Sequence, residues 1–308
     1  MSQGAPKRIT RRQAKAQINT FGRPLVIYII IFTLLNYGTS FLHETFPDFF
    51  AAYDFDMVVI GIGMISTLIV TLTTMLLASE SLKLDIKDYL GKPRISGGRM
   101  LAFVCIGIGI EMLTTSVSSL FYFFFHTNSQ IYEYLGSFNT TTNIVKNVLY
   151  FVHFILLKPI CDEIIFRGII QRQLGHYGRY FGVLGSAFLY AMAQLNLIDA
   201  IPAFFVGWFL SLLTMNYHSI RPGLVVHISL SLFLWLFNVI PAQYLWITIV
   251  ILGMVYIVSA FFIFQKHDTQ NFVRYGATEW KLWKILLSSG TVILVILLFI
   301  VNVVLSFL

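Results

Sequence analysis

The chain has 308 residues, of which 57% are hydrophobic and 11% charged, and its formal net charge is +7. Soluble domains carry about 25% charged residues, and a water-solvated core could not absorb this much apolar surface, so a soluble globular fold is excluded. The positive residues lie between apolar runs, not on one face or tail, which removes support for nucleic-acid binding.

Apolar runs occur at 24–42, 57–78, 100–125, 145–161, 180–198, 201–216, 222–239, 243–265 and 284–307. Each approaches the roughly 20 residues that cross a hydrocarbon layer about 30 Å thick as a helix. The expected fold is all-α, a polytopic transmembrane helix bundle of eight to nine spans, with no long polar linker to divide it. Residues 1–23 read as a basic cytoplasmic segment, 24–142 as N-terminal transmembrane helices, 143–242 as a core and 243–308 as C-terminal transmembrane helices. No small-residue cleavage pattern follows the first apolar run, so a retained span is expected there.

Basic and acidic loops alternate along the chain. Lys7, Arg8, Arg11, Arg12 and Lys15 precede the first run, and Lys83, Lys87, Lys92, Arg94 and Arg99 separate the second from the third. Arg167, Arg172 and Arg179 follow the fourth, and Lys266, Arg274 and Lys281 follow the eighth, whereas 43–56 and 126–144 hold no lysine or arginine. The positive-inside rule then puts the N-terminus in the cytoplasm of a multi-pass cell-membrane protein and, with nine spans, the C-terminus outside. Cys105 and Cys161 lie in or beside apolar runs, where a structural disulfide is not expected. Trp208, Trp235, Trp246, Trp280 and Trp283 mostly fall near span ends, as interfacial anchors do.

The adjacent carboxylates Asp162 and Glu163 come at the end of the fourth run. At membrane depth such a pair costs several kcal/mol unless it is paired, hydrated or protonated, so it marks a functional site by default. Arg167 follows Glu163 by four residues, where carboxylate and guanidinium share a helical face. The residues alone leave two readings open, an ion pair capping a span or a reactive site. Glu111, mid-run, is readable as an acid hydrogen-bonded to a neighbouring helix or as part of a polar cavity. His153 precedes Asp162 by nine residues, about 13 Å along a helix, too far to act beside it. His126, His176, His218 and His267 read as surface residues.

The segment Asp162-Glu163-xxx-Arg167-Gly168 resembles the first motif, EExxxR followed by glycine, of the CPBP intramembrane protease family, which comprises CAAX proteases and bacteriocin-processing proteins and is also called Abi. The stretch from Phe204 through Gly207 and Arg221 to His227 is similar to that family's third-motif region. The resemblance implies that a motif-one glutamate and a histidine of a second motif, FxxxH, activate water, while a third motif, HxxxN, stabilises the oxyanion. It leaves a divalent metal open for an active enzyme; otherwise no cofactor is expected.

Several positions depart from the family pattern. Asp162 replaces the first glutamate and is one methylene shorter, where a shift of about 1 Å can cost roughly a hundredfold in rate. The second motif reads Tyr190-xxx-Gln194, and a glutamine amide cannot take a proton from water near neutral pH. His227 is present, but Ser231 stands where the asparagine is expected. The candidate catalytic positions are therefore Asp162, Glu163, Gln194, His227 and Ser231, with Arg167 and Tyr190 as binding residues and no metal ligand.

Two functions follow from the resemblance. One is a degenerate member, a pseudoprotease that binds other membrane proteins, as do Abi-type proteins of Gram-positive bacteria that regulate membrane sensor kinases. The other is an active endopeptidase that cuts lipidated or hydrophobic peptides in the bilayer, with Asp162 or Glu163 as base. A transporter component is a third reading, disfavoured because the charges at depth cluster in one motif and are not spread along an ion path.

Overall fold

The computed structural model of the chain describes residues 11–46, 55–81, 83, 90–125, 144–237, 250–259, 261 and 280–305. Outside these lie Lys7, Arg8, Lys87, His126, Trp246, Lys266, His267 and Arg274, with the larger part of the expected eighth span. The described residues are helical apart from short connections, and none of them forms a strand. The helices are α1 (Arg11–Thr45), α2 (Phe55–Ser81), α3 (Gly97–Phe125), α4 (144–175), α5 (Arg179–Met192), α6 (Leu197–Tyr217), α7 (Arg221–Phe237), α8 (Val250–Ser259), α9 (Trp280–Leu287) and α10 (Gly290–Leu305).

α4 departs most from expectation. The fourth span was expected to end near residue 161, yet the helix runs on to Gly175, winding as π-helix over Phe151–Leu157 and Glu163–Gln171. Asp162 and Glu163 therefore sit mid-helix, and Arg167, expected in a basic loop, is fully buried. The reason is local: Ile165, Phe166, Ile169 and Ile170 keep packing inward, and Arg167 finds its countercharge one turn away, so nothing requires the helix to stop. Pro159, which lacks an N–H, removes one rung of the ladder between the two wide-wound stretches.

The expected last span, 284–307, is two helices meeting at 68°. At the corner the hydroxyls of Ser288 and Ser289 both donate to the Ile285 carbonyl. Four described helices are long and apolar enough to cross a membrane, or five if α9 and α10 count as one broken span, against the eight to nine expected. α4 is outside this count because its winding alternates between α and π, and its longest uniform stretch is the nine residues Glu163–Gln171. α5, with 14 residues, reaches only about 21 Å at 1.5 Å per residue.

Successive helices alternate in direction. Gln17 near the start of α1 accepts hydrogen bonds from Gln173 Nε2 (2.9 Å) and from the Tyr177 hydroxyl at the end of α4. Ser219, between α6 and α7, donates to the Gly91 carbonyl before α3 at 2.7 Å. One core cluster joins α1, α2, α4, α5, α9 and α10 around Phe21, Ile29, Ile170, Leu174, Phe181 and Leu286. A second joins α3, α6 and α7 around Phe103, Met112, Leu210 and Val226. α4 lies between the two, with α1 and α2 on one flank and α6 and α7 on the other.

The candidate site on α4

Adjacent residues of a helix point roughly a quarter turn apart, so Asp162 and Glu163 face different neighbours. Glu163 turns toward α7 and is fully buried. Its Oε1 lies 3.0 Å from His227 Nδ1 and 3.2 Å from Arg167 Nη1. With the imidazole proton on Nδ1, His227 donates to the carboxylate, and Nε2, 3.4 Å from the Tyr190 hydroxyl, is left to accept from it.

Arg167, also fully buried, ties this cluster to α5 and α6. Its Nη2 donates to the Gly207 carbonyl at 3.1 Å, and its guanidinium stacks 4.6 Å from the centroid of the Tyr190 ring. Toward Glu163 the contact is ionic only, since Nη1 and Nε are not aligned for a hydrogen bond with any described residue. One turn further on, Gln171 Nε2 donates to the Ser211 carbonyl at 2.8 Å. Both bonds join residues forty positions apart, so α4 and α6 run parallel in a fixed register.

Two glycines let the helices approach this closely. A Cβ at Gly223 would lie 2.9 Å from Glu163 Oε2, and one at Gly207 would lie 2.9 Å from Tyr190 Cδ1 and 3.2 Å from Arg167 Nη2. Small residues at such crossings bring a backbone within reach of a polar side chain. Glu163 Oε2 itself has no hydrogen-bond partner among the described residues.

Asp162 faces the other flank. Its Oδ2 accepts from Lys158 Nζ at 3.2 Å, and with Tyr28, Thr67, Thr74, Ile165 and Phe166 it lines a narrow crevice between α1, α2 and α4. Gln194, at the end of α5, donates through Nε2 to the Tyr190 carbonyl of its own helix at 3.2 Å. Ser231 is half-buried one turn beyond His227 on α7. The structure therefore gathers Glu163, Arg167, Tyr190 and His227 into one cluster, sets Asp162 apart with Lys158, and bonds Gln194 back to its own backbone.

Lys158 and Gly223 have no role assigned from the sequence, and Gly207 enters there only as the glycine of the third-motif region. Lys158 stands four residues before Asp162, the same spacing that pointed to Glu163 and Arg167, so its role was readable. Glu111 accepts from Thr115 of its own helix at 3.4 Å, and among the described residues no bond to a neighbouring helix accompanies it. His153 packs on α2, with Nε2 3.5 Å from Thr67 Oγ1 and its ring against Gly63.

A divalent metal does not fit these donors. Catalytic metal sites take three protein ligands, whereas Glu163 and His227 supply two. No group of three or more His, Cys, Asp and Glu comes together among the described residues, and the amide and hydroxyl at Gln194 and Ser231 are poor substitutes.

Residues 144–233 match a family model described as Rce1-like, Type II CAAX prenyl endopeptidase Rce1-like. Searches of curated proteins and of solved structures give no match. The matched segment runs from the first residue of α4 into α7 and contains Asp162, Glu163, Arg167, Tyr190, Gln194, His227 and Ser231. The match over residues 144–233 thus supports the resemblance to the CPBP family, within an all-α fold that has four or five helices long and apolar enough to cross a membrane among the described residues.

Proposed function

We propose that this chain is a membrane regulator that keeps the CPBP core as a scaffold for binding other membrane proteins and does not hydrolyse peptide bonds efficiently. The observation that carries the reading is that each motif carboxylate is neutralised by a cation of its own helix, Asp162 by Lys158 and Glu163 by Arg167. A general base must be free to take a proton from water held within hydrogen-bond reach. Glu163 Oε1 is shared between His227 and Arg167 with no exposed surface, and Gln194, at the position of the family's second-motif histidine, is spent on its own backbone. In this reading the charged residues of the motif serve to hold α4 against α5, α6 and α7. The partner class is a membrane protein, with a sensor kinase as the type, and the basic end of the bundle, where the N-terminal helix starts, faces the cytoplasm of a cell membrane.

One observation favours the active-endopeptidase reading. Glu163 Oε2 has no partner among the described residues, and His227 contacts the other oxygen, so a carboxylate and histidine stand together with one acceptor open. The experiment that separates the two uses the full chain in purified lipid vesicles, presented with farnesylated and unmodified hydrophobic peptides. No cleavage is expected, and Asp162→Ala is expected to leave the cellular effect intact at matched abundance. Cleavage that Glu163→Gln or Asp162→Ala abolishes in folded protein would overturn the regulator reading. Conversely, the triple change Asp162→Glu, Gln194→His and Ser231→Asn restores the family pattern as a unit and is the variant expected to gain activity.

A further inference from the structure

The start of α1, the start of α5 and the whole of α9 meet at one end of the bundle. Lys15 Nζ donates to the Ser288 carbonyl at 2.9 Å, and Asn19 Oδ1 accepts from both the backbone N–H (3.1 Å) and the hydroxyl (3.0 Å) of Thr291. Phe181 of α5 packs edge-on to Trp283 of α9 with centroids 5.5 Å apart, and a Cβ added at Gly178 would meet Leu282 Cδ1 at 3.5 Å. These contacts fix the neighbourhood of six cations. Arg11, Arg12, Arg179, Lys281 and Lys284 are exposed and Lys15 is half-buried. No aspartate or glutamate occurs in 11–43, 164–198 or 280–305, so no carboxylate on these segments neutralises them.

The shape of α9 points to a membrane surface and not to a soluble anion. It meets α10 at 68°, so with α10 along the bilayer normal α9 lies close to the membrane plane. Leu282, Trp283 and Leu286 face the core cluster, while Lys281 and Lys284, three residues apart, point outward on one face. The apolar side of α9 is thus taken up by the protein, and its lysine side is what it presents at the level of the headgroups. Basic residues held there attract anionic headgroups over about a Debye length.

We infer that this face binds anionic phospholipid headgroups, whose phosphates sit between α9 and the starts of α1 and α5. The inference is independent of whether the CPBP core is catalytic. The test follows thermal unfolding of the full chain in a neutral detergent with added phosphatidylglycerol, phosphatidylcholine or water-soluble glycerol phosphate. Phosphatidylglycerol is expected to raise Tm by several degrees, phosphatidylcholine and glycerol phosphate to do little, and about 0.5 M salt to remove most of the shift. The variant Arg11→Gln, Arg12→Gln, Lys281→Gln, Lys284→Gln is expected to lose roughly half of the shift or more. An equal shift with phosphatidylcholine, or an undiminished shift in the variant, overturns the inference. An equal shift with glycerol phosphate also overturns it and assigns the site to a free phosphate. Lipid co-purified with each protein gives a second readout that survives a change in baseline stability: the parent should be enriched in anionic lipid relative to the variant, and equal enrichment counts against the site.

Discussion

Asp162 and Glu163 are neighbours in the chain and stand in two unlike regions of the bundle. Glu163 is enclosed by four helices and meets an arginine, a histidine and a glycine backbone, all buried. Asp162 meets one lysine of its own helix, whose side chain is 26% exposed, at the edge of a crevice. The difference teaches that the same two-carboxylate motif does two jobs. One residue is fixed by long-range contacts that no other arrangement of the helices would satisfy. The other, although buried, is held by an ion pair within its own helix beside a crevice.

The sharpest way to break this contrast is to remove charges on the Glu163 side. Glu163→Ala leaves Arg167 buried without its countercharge, and Arg167→Ala does the converse. Each is expected to cost about 3–5 kcal/mol, seen as lower Tm in detergent and lower abundance in membranes. The double variant is expected to lose less than the sum of the two, because the penalty of an unpaired charge is removed with its partner. Normal stability of Glu163→Ala would show that the cluster does not hold the helices together.

A smaller effect tests the close approach of α7. Gly223→Ala would drive a methyl group to 2.9 Å from Glu163 Oε2, with an expected cost of about 1–3 kcal/mol from overpacking. Gly175→Ala, where no atom lies within 4 Å of the added carbon, serves as the control and should stay within about 0.5 kcal/mol of the parent. Equal Tm values for the two variants would mean that α7 yields without resistance.

The smallest effect is expected at the crevice. Asp162→Asn keeps the shape and removes an ion pair whose lysine is partly exposed although Asp162 is buried, so its cost is expected to be about 1–2 kcal/mol, below that of Glu163→Ala. A loss comparable to that of Glu163→Ala would erase the distinction between the two regions.

The sequence made the buried apolar helices legible and left the polar contacts between them largely hidden. α2, α3 and α6 lie where long apolar runs put them, α3 with the single acid Glu111 inside its run. The charged motif makes the fourth span look as if it ends near residue 161. Only the knowledge that Arg167 meets Glu163 on its own helix and the Gly207 carbonyl on another reveals that the charge is matched inside. The Glu163–Arg167 pair follows from four-residue spacing, and so does Lys158–Asp162. By contrast, the contact between Glu163 and His227 spans 64 residues, and that between Tyr190 and His227 spans 37; no spacing rule reaches so far. The resemblance to a family grouped those residues, but Gly223 and Gly207 looked like ordinary small residues until the close approach of a carboxylate and a guanidinium gave them a reason. The corner between α9 and α10 has only a Ser-Ser-Gly signal, too weak to separate it from a continuous span.

The stitching of α1 to α10 has a consequence for biogenesis. Lys15 and Ser288 are 273 positions apart, and Thr33 and Asn302, which exchange hydrogen bonds at 3.0 and 3.2 Å, are 269 apart. During synthesis α1 enters the membrane among the first helices, and its Asn19 and Thr33 remain without these partners until α10 has emerged from the ribosome. Packing against α2 is what is open to it in the meantime. The bundle therefore closes late, and a chain halted after α7 would present to the membrane quality-control machinery a first helix in which Gln17 is already bonded to Gln173 and Tyr177 but Asn19 and Thr33 lack their α10 partners.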